Sequence, residues 1–133
     1  MKTILIGLFL TISTVTFSQL EELWVYNNTT DKLWIRPAYE TDGLSDCVSA
    51  LEPIPQCLNP GSVPAKFTVP DGYNVFRVRV YRLIENCTLG DVVWTDYGIK
   101  YLAPYTGCSP DDFDSYTLTV LPSEPSRTRV WVE

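Results

Sequence analysis

Four cysteines are the most reactive residues of this chain: Cys47, Cys57, Cys87 and Cys108. An even number of cysteines in an exported chain favours disulfide bonds. A zinc site is the alternative, but no two of these cysteines have the short spacing of about two to four residues that is typical of zinc ligands. Three connectivities are open. We expect Cys47–Cys57 and Cys87–Cys108, because each bond would close a local loop and contribute roughly 3 kcal/mol.

A group of aromatic residues in the second half of the chain could form a platform for sugar rings. The C–H face of a sugar packs on an aromatic ring, while its hydroxyls need fixed polar partners, which Asp96 or Asp91 would supply. The predicted ligand-binding residues are Trp94, Asp96, Tyr97, Tyr101 and Tyr105. The more common alternative is that these rings fill the core and the sheet edges, where aromatic residues are enriched.

An acidic run has the chemistry of calcium ligands. Asp111, Asp112 and Asp114 place three carboxylates within four residues, and calcium prefers oxygen ligands. The run lacks the glycine and the distal glutamate of a calcium-binding loop. A solvated acidic loop is therefore the favoured interpretation, and the three residues are only weak candidates for metal ligands.

The absence of histidine from the sequence restricts catalytic chemistry. No Ser-His or Cys-His pair can form, and no histidine can ligate a metal. Paired carboxylates could still act as in glycosidases, but no Asp or Glu stands in a context that predicts burial with a raised pKa. We therefore predict a non-catalytic protein without a cofactor, with a carboxylate-dependent hydrolase as an alternative.

The charge balance bears on the partners of the protein. The formal net charge is -6, with 10 basic and 16 acidic residues, which argues against binding to nucleic acid or to anionic membranes. A basic set could nevertheless bind an anionic partner: Arg77, Arg79 and Arg82, with Arg127 and Arg129. The alternative is a solvated sheet face on which these arginines pair with acidic residues on neighbouring strands.

Residues 1–18 have the pattern of a secretory signal peptide. A lysine precedes a short apolar segment, and small residues occupy the -3 and -1 positions of a cut before Gln19. The apolar segment is too short to span about 30 Å of hydrocarbon. We expect residues 19–133 to be secreted, outside the cell or into a periplasm, as one domain without a membrane span. Three asparagines stand in glycosylation sequons that matter only in a eukaryotic secretory route: Asn27, Asn28 and Asn86.

Alternation of apolar and polar residues predicts β-strands in this domain. In the strand 32–38, we expect Leu33 and Ile35 on one face, and Trp34 and Arg36 on the other. In the clearest strand, 74–83, we expect Phe76 to point the same way as Val78 and Val80, and Arg77 and Arg79 to point the other way. A polar turn should join strands 23–26 and 32–38 into a hairpin, and residues 116–133 should form another. Residues 92–94 and 98–102 are predicted as two shorter strands around a turn.

The sequence thus predicts about seven or eight short strands and no convincing helix, and these strands would position the cysteines and the candidate site residues. The predicted fold is all-β, an antiparallel two-sheet β-sandwich stabilised by disulfides, with a small closed barrel as the alternative.

The predicted function is a secreted, non-catalytic recognition or structural domain, since rigid scaffolds with long loops often carry recognition. Its partner would be an extracellular protein or a polysaccharide. One alternative is a carbohydrate-binding module that stands alone and uses surface aromatics. A second is a small protease inhibitor acting through the proline-rich segment between Cys47 and Pro64, and a third is the hydrolase.

Overall fold

The computed structural model describes residues 21–41, 47, 51–61, 63–103, 105–108, 114–122 and 124–133. The predicted signal peptide, Asp111 and Asp112 lie outside the described residues. The described strands are β1 (Glu22–Asn27), β2 (Leu33–Thr41), β3 (Gln56–Leu58), β4 (Ala65–Thr68), β5 (Tyr73–Leu83), β6 (Val92–Tyr101), β7 (Leu118–Val120) and β8 (Arg127–Val132). Two short 3₁₀ turns, at Leu89–Asp91 and Tyr105–Gly107, complete the regular structure of this part of the chain. No helix within it is long and apolar enough to cross a bilayer.

The eight strands form two four-stranded sheets that pack face to face. The first sheet has the order β4-β1-β8-β7 and the second has the order β3-β2-β5-β6. Neighbouring strands are antiparallel except β1 and β8, which pair in parallel over six residues. The prediction of a β-sandwich with seven or eight strands is confirmed, with this one parallel pair as its exception.

The main core lies between the two sheets and is built from the inner side of each strand. On β2, Leu33 and Ile35 are fully buried in it, whereas Trp34 and Arg36 are half-buried on the other side. This is the division that the alternation predicted. Full burial of one large aliphatic side chain contributes about 1.5–3 kcal/mol relative to exposure, so this inner row is a main source of stability.

Strands β1 and β2 do not form the predicted hairpin, because β1 belongs to the first sheet and β2 to the second. The connection is organised by the buried side chain of Asn27. Its amide nitrogen donates hydrogen bonds to the carbonyl oxygens of Asp31, at 2.8 Å, and Leu58, at 3.2 Å. Its amide oxygen accepts from the backbone N–H and the hydroxyl of Thr29, at 2.9 and 2.7 Å. Polar turn residues occur both in hairpins and in connections that cross from one sheet to the other. Their presence after β1 therefore could not show which of these two connections the chain makes.

Replacing Asn27 with alanine is expected to lower the free energy of unfolding by about 2 kcal/mol, because buried polar partners would lose their hydrogen bonds. The quantity is measured by urea denaturation. The neighbouring Asn28 is exposed, so Asn28→Ala is a matched control that should change stability by less than about 0.5 kcal/mol. Equal effects of the two substitutions would contradict the role of Asn27.

A bulge on β5 changes the direction of one large side chain. Phe76 has no partner on β2, because it falls between the pairs Ala38–Arg77 and Tyr39–Val75. Its ring therefore leaves the main core and packs in a separate cluster with Ala38. The prediction that Phe76 points the same way as the later valines of this strand was wrong, since a bulge shifts the alternation by one residue.

A second bulge lies on β6. Tyr97 pairs with Tyr81 and Val93 pairs with Arg82, so residues 94–96 have no partners on β5. The two short strands and the turn predicted here are therefore one continuous strand. The bulge is what presents Trp94 to solvent.

The disulfides connect Cys47 to Cys108 and Cys57 to Cys87, so the predicted pairing was wrong. Cys57 lies opposite Trp34, near the start of β2, whereas Cys47 packs in the cluster of Ala38, four residues further along. Four residues of strand span about 13 Å, which exceeds the limit of about 7 Å between the Cα atoms of a disulfide. Two disulfides indicate an oxidising environment.

Candidate recognition surface

The outer face of the second sheet, the side directed away from the first sheet, carries the candidate site. Two apolar clusters lie on this face, and each contains at least one disulfide-bonded cysteine. The first cluster is formed by Tyr81, Leu83 and Val92 with Trp34, Cys57 and Tyr97. The second is formed by Ala38, Phe76 and Tyr105 with Cys47, Tyr101 and Cys108. The strand register places a row containing Arg36 and Arg79 between the two clusters.

An open groove of about 530 Å³ lies on this face, and we call it the recognition groove. Its lining residues are Trp34, Arg36, Glu52, Pro53, Pro55, Leu89 and Trp94. They come from strand β2, the segment before β3, the first 3₁₀ turn and strand β6. The volume lies within the range of about 300–1,000 Å³ that is usual for ligand sites.

The rim of the groove is apolar and exposed. Trp94 is 47% exposed and Leu89 is 64% exposed. The Trp94 ring is held edge-on against Tyr81, with 4.9 Å between ring centroids, so its orientation is fixed although it faces solvent. Large apolar side chains that are exposed together are a feature of interaction sites.

Charged side chains lie in the groove and beside it, and of these Arg36 and Glu52 line it. The Glu52 carboxylate bridges two guanidinium groups, with one oxygen 3.1 Å from Arg36 Nη2 and the other 3.1 Å from Arg77 Nη2. Arg79, on β5, is the direct cross-strand partner of Arg36. Three arginines thus lie around Glu52 in a protein whose net charge is -6. The buried carboxylate of Glu40 lies further along β2, two residues after Ala38.

The predicted aromatic platform is divided between the two clusters. Trp94 and Tyr97 pack near Tyr81, whereas Tyr101 and Tyr105 both pack edge-on against Phe76, with centroids 5.3 Å apart in each case. Tyr105 is buried. Of the predicted ligand-binding residues, Trp94 alone lines the groove.

The candidate acidic residues lie elsewhere. Asp96 accepts a hydrogen bond from Nε of Arg82 at 2.6 Å, and this bond raises the pKa of Arg82. Asp114 is exposed. Within the described residues there is no group of three or more His, Cys, Asp or Glu side chains that could hold a metal ion. With Asp111 and Asp112 outside these residues, the calcium site stays a prediction.

The proline-rich segment forms one wall of the groove. Pro53 and Pro55 line it, and Ile54 between them is 88% exposed. Leu51 is tied to Tyr39 by two backbone hydrogen bonds of 2.8 and 3.1 Å, and the segment continues into β3, which carries Cys57. The disulfide that anchors this segment thus runs to Cys87 and not to Cys47.

A second aromatic group, on the first sheet, was missed by the sequence analysis. Trp24, Tyr26 and Trp131 form a chain of ring contacts. The Trp24 ring is contacted by Lys66 Nζ at 4.1 Å and by the Arg127 guanidinium at 3.7 Å from its centroid. These two cations come from the strands on either side of β1. Trp24 is thus already covered by the protein's own cations, which makes it a poor platform for a ligand.

Most of the groove was also missed, because its residues are distant in sequence. The alternation in β2 did place Trp34 and Arg36 together, on the face opposite Leu33 and Ile35, and that was the available signal. No sequence pattern predicted that Glu52 and Leu89 lie near Trp34 and Arg36, because that proximity depends on the disulfides and on strand pairing.

No protein-family model, no curated protein and no solved structure matches this chain. The fold defines the protein as a disulfide-bonded β-sandwich, and its function has to be inferred from the groove.

Proposed function

We propose that this protein is a secreted, non-catalytic recognition domain that binds an extended segment of another protein in the recognition groove. The observation that supports this most directly is the exposed pair Trp94 and Leu89 beside Arg36. Tryptophan and arginine are among the residues that contribute most to binding at protein interfaces. The two disulfides are consistent with secretion.

The chemistry of the rim favours a protein ligand over a sugar. Leu89 and Ile54 offer aliphatic surface, which suits apolar side chains better than hydroxylated rings. A sugar needs several fixed polar partners. Among the residues that line the groove, the charged side chains are Arg36 and Glu52, which already bind each other.

The same arrangement argues against hydrolysis. A mechanism with two carboxylates needs a second acid within about 5–10 Å of the first. The described lining contains one carboxylate, Glu52, and both of its oxygens are bound by arginines.

The proposal is tested by selecting random peptides displayed on phage against the immobilised full chain. Selected peptides should share a pattern that includes an apolar residue. Trp94→Ala should weaken their binding by about tenfold or more, a loss of about 1.4 kcal/mol, because tryptophan is enriched among the residues whose truncation costs most at interfaces.

Trp131→Ala is the matched control, since Trp131 belongs to the first sheet, and it should leave binding within about twofold of the wild type. Thermal melting checks that both variants fold. Peptides without a shared pattern, or binding that Trp94→Ala leaves unchanged, would overturn the proposal. Binding of neutral oligosaccharides that requires Trp94 would replace it with carbohydrate recognition.

A further inference from the structure

We infer that Arg79, together with Arg36, binds a carboxylate of the ligand, so that the recognised segment is acidic as well as apolar. The inference rests on the proposed function and specifies the class of partner. It follows from three observations: the ion pairing of the arginines, the like-charged pair across β2 and β5, and the position of this pair beside the groove.

Arg79 differs from the other arginines in its pairing. Each of the other five has a carboxylate partner: Arg36 and Arg77 bind Glu52, Arg82 binds Asp96, and Arg127 and Arg129 bind Glu124. In the part of the chain that the structure describes, no ion pair or side-chain hydrogen bond involves Arg79. Its Nε is buried without a partner, as are the Nε atoms of Arg77, Arg127 and Arg129, so the lack of a carboxylate is what distinguishes Arg79. Pairing across strands accounts for Arg82, whose partner Asp96 lies on β6. Arg127 and Arg129 instead pair with Glu124 in the turn before β8, and Arg79 is left unexplained.

The position of Arg79 also carries an electrostatic cost. Direct cross-strand partners on one face have Cβ atoms about 4.5–5.5 Å apart, and like charges there are destabilising. Arg36 and Arg79 are such partners. Glu52 offsets this by binding Arg36, but its second oxygen is used by Arg77, whose side chain is only 9% exposed. Both oxygens of Glu52 are therefore used by Arg36 and Arg77. A ligand carboxylate would give Arg79 the partner that none of the described side chains supplies.

The geometry relates this charge to the apolar rim. Arg36 lines the groove together with Trp34, Leu89 and Trp94, and Arg79 stands next to Arg36 on the adjacent strand. Guanidinium groups bind carboxylates through two parallel hydrogen bonds. A ligand with an acidic side chain beside an aromatic or aliphatic one would occupy both parts of the site.

The first test uses benzoate as the probe, since it joins a carboxylate to an apolar ring. We expect benzoate at millimolar concentrations to shift the NMR signals of Arg79 Nε–H and Trp94 Nε1–H in a saturable way, whereas neutral benzamide should not move the arginine signal. Arg79→Gln should abolish the saturable shift at Trp94, and Arg129→Gln, which alters an arginine of the first sheet, should preserve it. Equal responses to benzoate and benzamide would overturn the inference.

The second test separates this inference from the proposed function. Peptides selected on the wild type should contain Asp or Glu, bind more weakly as salt is raised, and lose about tenfold affinity with Arg79→Gln. If such peptides bind in the groove and Arg79→Gln leaves their affinity unchanged, the carboxylate site is refuted while the proposed function stands. If benzoate binds at Arg79 and no peptide is selected, the proposed function fails while the carboxylate site remains. Tighter binding of oligogalacturonate than of any acidic peptide would refute the assignment of a protein ligand.

Discussion

Changing Cys47 and Cys108 together to serine is expected to lower the free energy of unfolding by about 4 kcal/mol. The disulfide joins residues 61 positions apart, and opening so long a loop gives the unfolded chain much conformational freedom. The Cys57–Cys87 bond spans 30 positions, so its removal should cost slightly less. Since small domains are stable by only about 5–15 kcal/mol, either loss should be evident in urea denaturation.

Peptide mapping without reduction provides the control for this prediction. Digestion of the native protein should release one linked pair of peptides containing Cys47 and Cys108, and another containing Cys57 and Cys87. A peptide that links Cys47 to Cys57 would contradict the connectivity. A change in stability below about 1 kcal/mol in the double variant would contradict the role of the long loop.

Replacing Gly98 with alanine should destabilise the protein by about 3 kcal/mol. A Cβ atom at this position would lie 2.5 Å from the carbonyl oxygen of Tyr116 and 2.7 Å from Cδ1 of Leu118. Tyr116 cannot move aside easily, because its hydroxyl donates a hydrogen bond to Asp31 at 2.7 Å. Burial and this hydrogen bond both raise the pKa of Tyr116. Gly98 lies on β6 of the second sheet and Leu118 on β7 of the first, so the added methyl group would push the two sheets apart at this contact.

Gly90→Ala is the matched control, since a Cβ atom there meets no atom within 4 Å. It should change the free energy of unfolding by less than about 0.5 kcal/mol. Both variants are measured by urea denaturation. If they lose similar amounts of unfolding free energy, the close contact at Gly98 does not exclude a methyl group.

Local patterns predicted the strands well, because alternation is a local consequence of the pleat. Leu33 and Ile35 were assigned to the inner face correctly. Phe76 was assigned to the wrong face, because the position of its bulge is determined by the pairing of β5 with β2. Local patterns could not predict the pairing of β1 with β8 either, because these two strands are about a hundred residues apart in the sequence.

The candidate site was less predictable than the fold. Trp94 was predicted to bind a ligand from its type and its neighbours, and it lines the groove. The groove also needs Glu52 and Leu89, which line it together with Trp94. These residues are distant in the sequence, and the disulfides and strand connections bring them together. The sequence also could not show that Arg79 lacks a carboxylate partner, because the partners of the other five arginines are set by the three-dimensional structure.

The parallel pairing of the first and last strands has a mechanical consequence. Because β1 and β8 run in the same direction over six residue pairs, the beginning of β1 and the end of β8 lie at opposite ends of this strand pair, about 17 Å apart. Tension applied to these two points would pull along the strands, so the hydrogen bonds between them would share the load. A protein connected in this way resists being pulled apart, because those bonds must break together instead of one after another.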